Sequence, residues 1–215
     1  MPLLPFPSRG LYAVTGEIED LPTLRSQITQ VLAGGAQIVQ LRDKHHRVDI
    51  NGAKCLLDLC HQFGVPFLVN DNIELAYEIE ADGVHLGRND ADLEEAIVRL
   101  GKDAIVGVSC YGDLQRAREA EARGATYVAF GSFFPSKSKP HATPAPISIL
   151  PKARKVLRCP IVAIGGITPD NGRELIEAGA DLLAVIGGLF AMDDPLKAST
   201  RYQRLFSKHP TAVTV

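Results

Sequence analysis

The sequence has no CxxC pair, and its four cysteines, Cys55, Cys60, Cys110 and Cys159, lack the spacing of a zinc finger or of a disulfide framework. They are expected to be reduced core residues. There is no basic run either. With 23 Lys+Arg against 25 Asp+Glu and a net charge of -2, the chain lacks the clustered cations a nucleic-acid backbone demands, which argues against that partner. No apolar stretch approaches membrane-spanning length. The opening Met1-Pro-Leu-Leu-Pro-Phe-Pro-Ser-Arg9 is apolar, but three prolines interrupt it and it has no charged leading segment. It does not read as a signal peptide, and a cytoplasmic protein is expected. No linker divides the chain, so 215 residues, 46% hydrophobic and 22% charged, predict one domain around one sizeable core.

What is present is alternation. Short apolar runs are each followed by a charged stretch of helical spacing: Leu11–Val14 then Leu24–Leu32, Ala36–Leu41 then Ala53–Gly64, Phe67–Val69 then Ile73–Ile79, and Gly83–Gly87 then Ala91–Leu100. The pattern continues with Ala104–Val108 then Asp113–Arg123, Tyr127–Gly131 then Ile147–Leu157, Pro160–Gly166 then a helix to Ala178, and Asp181–Ile186 then Pro195–Phe206. Apolar strands between charged helices predict a parallel sheet covered on its outer face. Eight such units point to a single-domain (β/α)8 TIM barrel over residues 10–207, with residues 1–9 as an N-terminal extension and 208–215 as a loose tail. An open doubly wound sheet is the rival, but no G-x-G-x-x-G follows the first strand.

In a barrel, the loops after the strands share one face, the C-terminal ends where chemistry sits, and there the polar clusters converge. Asn70-Asp71 ends strand three and Asp90 follows strand four, so the two acids emerge on one edge. They either cap the following helices or form half of a hard-cation site of the Mg²⁺ type. The glycine pairs 165–166 and 187–188 let backbone amides approach an anion closely, as a phosphate cradle does; tight turns are the plainer reading. Arg42, Lys44 and Lys139 add cations on the other side of the rim. Arg42 and Lys44 are expected to point the same way from an extended strand end. The rim therefore reads as one monophosphate site and one Mg-diphosphate site. Loop Ser132–Pro146 either closes over that rim or is plain surface.

Gln40-x-Arg-x-Lys44, Val-Asn70-Asp71, Asp82-Gly-Val-His-Leu-Gly87 with Asp90, Gly107-Val-Ser109, Phe130-Gly131 with Pro135-Ser-Lys-Ser-Lys139, and Ile164-Gly-Gly-Ile-Thr168 occur in one order over Gly10 to Pro195. Together they resemble the motifs of the thiamine phosphate synthases. The resemblance implies a TIM barrel with two small phosphorylated substrates: 4-amino-5-hydroxymethyl-2-methylpyrimidine diphosphate and 4-methyl-5-(2-phosphoethyl)thiazole. It implies that Gln40, Arg42, Lys44, Asn70, Ser109 and Lys139 contact the pyrimidine diphosphate, with Arg42, Lys44, Ser109 and Lys139 carrying catalysis. Asp71 and Asp90 would hold Mg²⁺, while Ser136, Ser138, Gly166 and the backbone at Ile186 and Gly187 would take the thiazole phosphate. The family often has Thr at the positions of Ser136 and Ser138, and Ser at that of Gly187. Hydroxyls persist at the first two and a backbone N–H at the third.

The implied chemistry is ionisation of the pyrimidine C–O bond followed by capture of the cation by the thiazole nitrogen, which needs no strong base. That accords with the lack of a Ser/His/Asp or Cys/His set. Cys110 has no evident activating histidine. His85, inside strand four, is expected to be a hydrogen-bonded structural residue, and His45 and His46 to be solvated. Two alternatives stay open: a thiazole tautomerase of the same superfamily, whose members tend to carry His where this chain has Tyr111, and a non-catalytic sensor of thiamine precursors. A Schiff-base aldolase would need a strand lysine, and no strand contains one. The sequence leaves a homo-oligomer open.

Overall fold

A computed structural model of the chain describes residues 3–87, 93–136 and 143–207. Eight strands close in sequence order into a barrel, with neighbours pairing in parallel and β1 returning to β8. They are β1 (Gly10–Val14), β2 (Ile38–Leu41), β3 (Phe67–Asn70), β4 (Gly83–Leu86), β5 (Ile105–Tyr111), β6 (Tyr127–Phe130), β7 (Ile161–Ile164) and β8 (Leu182–Val185). The helices lie outside: α1 (Leu21–Ala33), α2 (Ile50–Gln62), α3 (Ile73–Glu78), α4 (Leu93–Leu100), α5 (Leu114–Ala122), α6 (Ile149–Val156), α7 (Gly172–Glu177), α8 (Gly187–Phe190) and α9 (Pro195–Gln203). This is the (β/α)8 architecture the alternation predicts.

Period-two alternation explains why these strands are apolar throughout. Leu11, Ala13, Ile161, Ala163, Leu183 and Val185 face the helices in the larger core. Tyr12, Val14, Val162, Leu182 and Ala184 face inward and fill the barrel with Ile38, Leu68 and Ile105. Both faces are buried, so neither needs a polar set.

Acidic and amide side chains start several helices. Asp20, Asp49, Asn72, Asp113 and Asp194 each accept the N–H three residues on, for α1, α2, α3, α5 and α9. Such caps contribute about 1 kcal/mol each. At the opposite end of the barrel, the fully buried Asp82 accepts from Leu4 N, Phe67 N and His61 Nε2 at 2.7, 2.7 and 2.8 Å. Phe6 stacks on Tyr127 at 4.5 Å. The segment before β1 thus seals the barrel's N-terminal end.

Three local features differ from the expected pattern. β5 runs on to Tyr111 rather than stopping at Val108, through a register shift between Ser109 and Tyr111. β2 ends at Leu41, and a turn covers Lys44, because the Asp43 carboxylate accepts from His45 N at 3.2 Å and Val48 N at 2.7 Å. Arg42 and Lys44 therefore do not share an extended strand end. The pair Gly187-Gly188 opens a one-turn helix, α8, instead of a plain loop. Among the described residues, no helix is long and apolar enough to cross a membrane.

Candidate active site

A cavity of about 880 Å³ opens at the C-terminal ends of the strands, and every strand contributes to its wall. Gln40, Arg42, Asn70, Ser109, Ser136 and Ile186, all singled out from sequence, line it. Lys44 is exposed in its turn and is not part of the lining. Asp90, Ser138 and Lys139 lie outside the described residues, as does the tail from 208 to 215.

Arg42 follows β2 and is pinned through its own backbone. Its N–H donates to the buried Thr15 hydroxyl at 2.8 Å, and that hydroxyl donates to the Arg42 carbonyl at 3.3 Å. Next along the rim, Asp71 adopts φ 61, a left-handed conformation that Asp tolerates better than most residues. Its carboxylate accepts from Gly87 N at 3.1 Å and from the Asn70 amide. Asp71 does not cap α3; Asn72 does, with Leu75 N at 2.9 Å. For Asp71, the capping role falls to the neighbouring asparagine. Asp71 stands exposed on the rim, tied to Gly87, three residues before Asp90 in sequence. A hard oxygen donor there fits a divalent cation of the Mg²⁺ type.

β7 and β3 are diametrically opposed in the closed order. Beyond β7, Gly166 has φ 64, and a Cβ on it would meet the carbonyl oxygens of Pro135 and Phe134 at 2.5 and 2.6 Å. Glycine is required here twice over: by its φ and by the approach of the loop after β6. That loop is tied down by Phe133 N to Ile164 O at 3.2 Å and Phe134 N to Gly165 O at 3.0 Å. These bonds bring Ser136 to the cavity wall. Gly187 differs, because a Cβ there would meet nothing within 4 Å. Its amide opens α8 and has no carbonyl one turn earlier in that helix to pair with.

The cavity floor holds residues that the linear pattern did not reveal. Gln40 Nε2 donates to Tyr12 Oη at 2.6 Å, and Tyr12 Oη lies 2.8 Å from Tyr127 Oη. Tyr127 Oη is 2.8 Å from His85 Nδ1, and His85 Nε2 is 2.9 Å from Ser109 Oγ. His85 is thus the hydrogen-bonded residue expected. Burial raises both tyrosines well above their ordinary range, so both stay neutral. Tyr12 and Tyr127 are polar only at the ring tip and sit in runs that read as plain strand, so register was needed to find them. Gly107 in β5 makes room for one of them: a Cβ there would lie 2.0 Å from Tyr127 Cζ.

Arg116 was also missed, since it reads as one charge among many on α5. Its Nε donates to Ser109 O at 2.9 Å and its NH2 to Gly87 O at 3.2 Å, joining the ends of β5 and β4. Cys110 next to Ser109 is hydrogen-bonded to a backbone carbonyl rather than to a histidine. Its thiol is buried, which pushes it up to about 12, and it donates to Val108 O at 3.6 Å. A thiol so held is no nucleophile. Among the described residues no strand contains the lysine that a Schiff-base aldolase would need.

Comparison with known proteins accords with this geometry. A family model described as thiamine monophosphate synthase matches residues 11–189. The thiamine-phosphate synthase of Azoarcus sp. (strain BH72) is 48% identical over 201 residues, covering 93% of this chain and 98% of that one. That of Chromobacterium violaceum is 50% identical over 192 residues, covering 88% and 92%. Among solved structures, a thiamine phosphate pyrophosphorylase from Pyrococcus furiosus superposes with a TM-score of 0.80 at 32% identity, over 92% of this chain and 95% of that one. A 3-hexulose-6-phosphate synthase, at 17% identity and a TM-score of 0.71, shares the fold. The chain belongs to the thiamine monophosphate synthase family of transferases.

Proposed function

We propose that the protein joins 4-amino-5-hydroxymethyl-2-methylpyrimidine diphosphate to 4-methyl-5-(2-phosphoethyl)thiazole, giving thiamine phosphate and pyrophosphate. The observation that carries this reading is the division of one cavity between two walls. Arg42 and Asn70, at the ends of β2 and β3, line it on one side with Asp71 beside them on the rim, whereas Gly165 and Ile186, beyond β7 and β8, line it on the other, next to Gly166 and Gly187. One wall suits a diphosphate held by cation and metal, the other a monophosphate held by backbone amides.

Arg42 on the first wall binds the diphosphate, joined by Lys44 from its exposed turn and by Lys139, which lies outside the described residues, and Gln40, Asn70 and Ser109 orient the pyrimidine. Asp71 and Asp90 are the residues that would hold Mg²⁺. When bound, the ion supplies charge neutralisation on the diphosphate oxygens. Ser136, Gly166 and the backbone at Ile186 and Gly187, together with Ser138 outside the described residues, bind the thiazole phosphate.

The exocyclic C–O bond of the pyrimidine breaks, and both electrons leave with the diphosphate. The ring amino group delocalises the resulting cation, and the thiazole nitrogen lone pair forms the new C–N bond. No side chain has to remove a proton in these steps, so the work is positioning and electrostatic stabilisation of the leaving group. The test is to mix purified protein with both substrates and Mg²⁺, with an EDTA control, and to follow thiamine phosphate by chromatography. Mg-dependent product is the expected result. Folded protein that binds the thiazole phosphate yet makes no product would move the weight to a tautomerase or a sensor.

A further inference from the structure

We propose that Gln40, Tyr12, Tyr127, His85 and Ser109 form a hydrogen-bond chain of one fixed direction, which makes Tyr12, Tyr127 and His85 positioning residues for the pyrimidine-binding pair Gln40 and Ser109. The role assigned to that pair rests on the function proposed above; the direction of the chain does not.

Direction follows from counting protons. Tyr12 and Tyr127 are 1% and 0% exposed, so each hydroxyl proton needs an acceptor inside the barrel. Tyr12 Oη already accepts from Gln40 Nε2, so its own proton goes to Tyr127 Oη. If Tyr127 donated to Tyr12 instead, Tyr12 would receive two protons and bury its own without an acceptor, at a cost of a lost hydrogen bond. Tyr127 therefore donates to His85 Nδ1. A neutral imidazole accepting at Nδ1 carries its proton on Nε2, which donates to Ser109 Oγ. The Ser109 hydroxyl, its oxygen already engaged, is left to donate into the cavity it lines. At the other end, Gln40, which lines the same cavity, has committed its Nε2 to Tyr12, and its carbonyl oxygen remains as an acceptor.

The chain thus presents a fixed acceptor at Gln40 and a fixed donor at Ser109. A flat heterocycle bearing a primary amine next to an acceptor ring nitrogen meets such a floor with a donor and an acceptor of its own. The aminopyrimidine is such a ring. The packing is built around the arrangement: Gly107 leaves the space the Tyr127 ring fills, and Phe6 stacks on that ring.

The first test is the His85 tautomer in the full-length protein without ligands, read by long-range proton–nitrogen NMR on ¹⁵N-histidine protein, with His85→Gln assigning the signal. An Nε2–H tautomer is expected. An Nδ1–H tautomer, or fast averaging of the two, overturns the proposal whatever the enzyme does. The second test removes only a hydroxyl, with Tyr127→Phe, or Tyr12→Phe should the first fail to fold. We expect KM for the pyrimidine diphosphate to rise about tenfold, the size of one lost hydrogen bond, with KM for the thiazole phosphate unchanged. An equal rise for both substrates, or for neither, shows that the chain supports only the fold and overturns the positioning role. Failure of the function proposed above would instead show as no product from wild-type protein with the tautomer intact.

Discussion

The hydroxyl of Thr15 engages Arg42 on both sides of that residue, accepting its N–H at 2.8 Å and donating to its carbonyl at 3.3 Å. The end of β1 thereby fixes where β2 releases its cation. Thr15→Val keeps the shape and removes both bonds, leaving the Arg42 N–H without this partner. Stability should fall by about 1–2 kcal/mol, read as a Tm drop of about 4 °C for a chain of this size. The rise in KM should be larger for the pyrimidine diphosphate than for the thiazole phosphate. An unchanged KM would separate the Thr15 contact from the function of Arg42.

Arg116 bridges Ser109 O and Gly87 O, two carbonyls on different strands. Arg116→Met keeps much of the aliphatic stem and removes the fork. We expect kcat/KM to fall about tenfold to a hundredfold, in line with charged hydrogen bonds of about 1.5–3 kcal/mol. Arg116→Lys should restore little, because one ammonium cannot reproduce a planar fork. Full rescue by lysine in steady-state kinetics would show that charge alone matters here.

Two glycines on the same wall should respond in opposite ways. Gly166→Ala brings a Cβ within 2.5 Å of a backbone oxygen at φ 64, a conflict that no side-chain rotation relieves. It should lose more than about 1 kcal/mol and displace the loop after β6. Gly187→Ala meets open space and should unfold with wild-type stability. Thermal melts of the two variants side by side check this contrast.

Stability should decline at both ends of the pH range. Burial works to raise the Glu121 carboxyl, but the backbone N–H groups of Cys159 and Arg158, each at 2.7 Å, outweigh it and hold the group below its ordinary value. A lowered carboxylate contributes stability that is present above the unfolded value and lost as pH falls through the folded one. Tyr12 and Tyr127 are raised by burial, so their contribution is full below the unfolded value of about 10 and is lost as pH rises beyond it. Melting temperatures across pH should show Glu121→Gln less stable than wild type at pH 7, with the gap closing towards about pH 3. A gap independent of pH would remove Glu121 from the account.

The strand–helix alternation, the barrel and most of the rim were legible from residue pattern, because hydrophobic period and helix-start chemistry are local properties. Gln40, Arg42, Asn70, Ser109 and Ser136 could be placed on one face since the topology delivers every strand end there. Three things were decided only by the tertiary structure. Asp43 folds the chain after Arg42 and turns Lys44 away from the cavity lining, Asn72 rather than Asp71 caps α3, and Tyr12, Tyr127 and His85 meet inside the barrel. The first two are choices between neighbouring Asp and Asn side chains that residue type alone leaves open, whereas the last depends on which residue of one strand lies opposite which residue of another. A one-residue change in register reverses the facing of a strand without altering its composition, so no local pattern determines it.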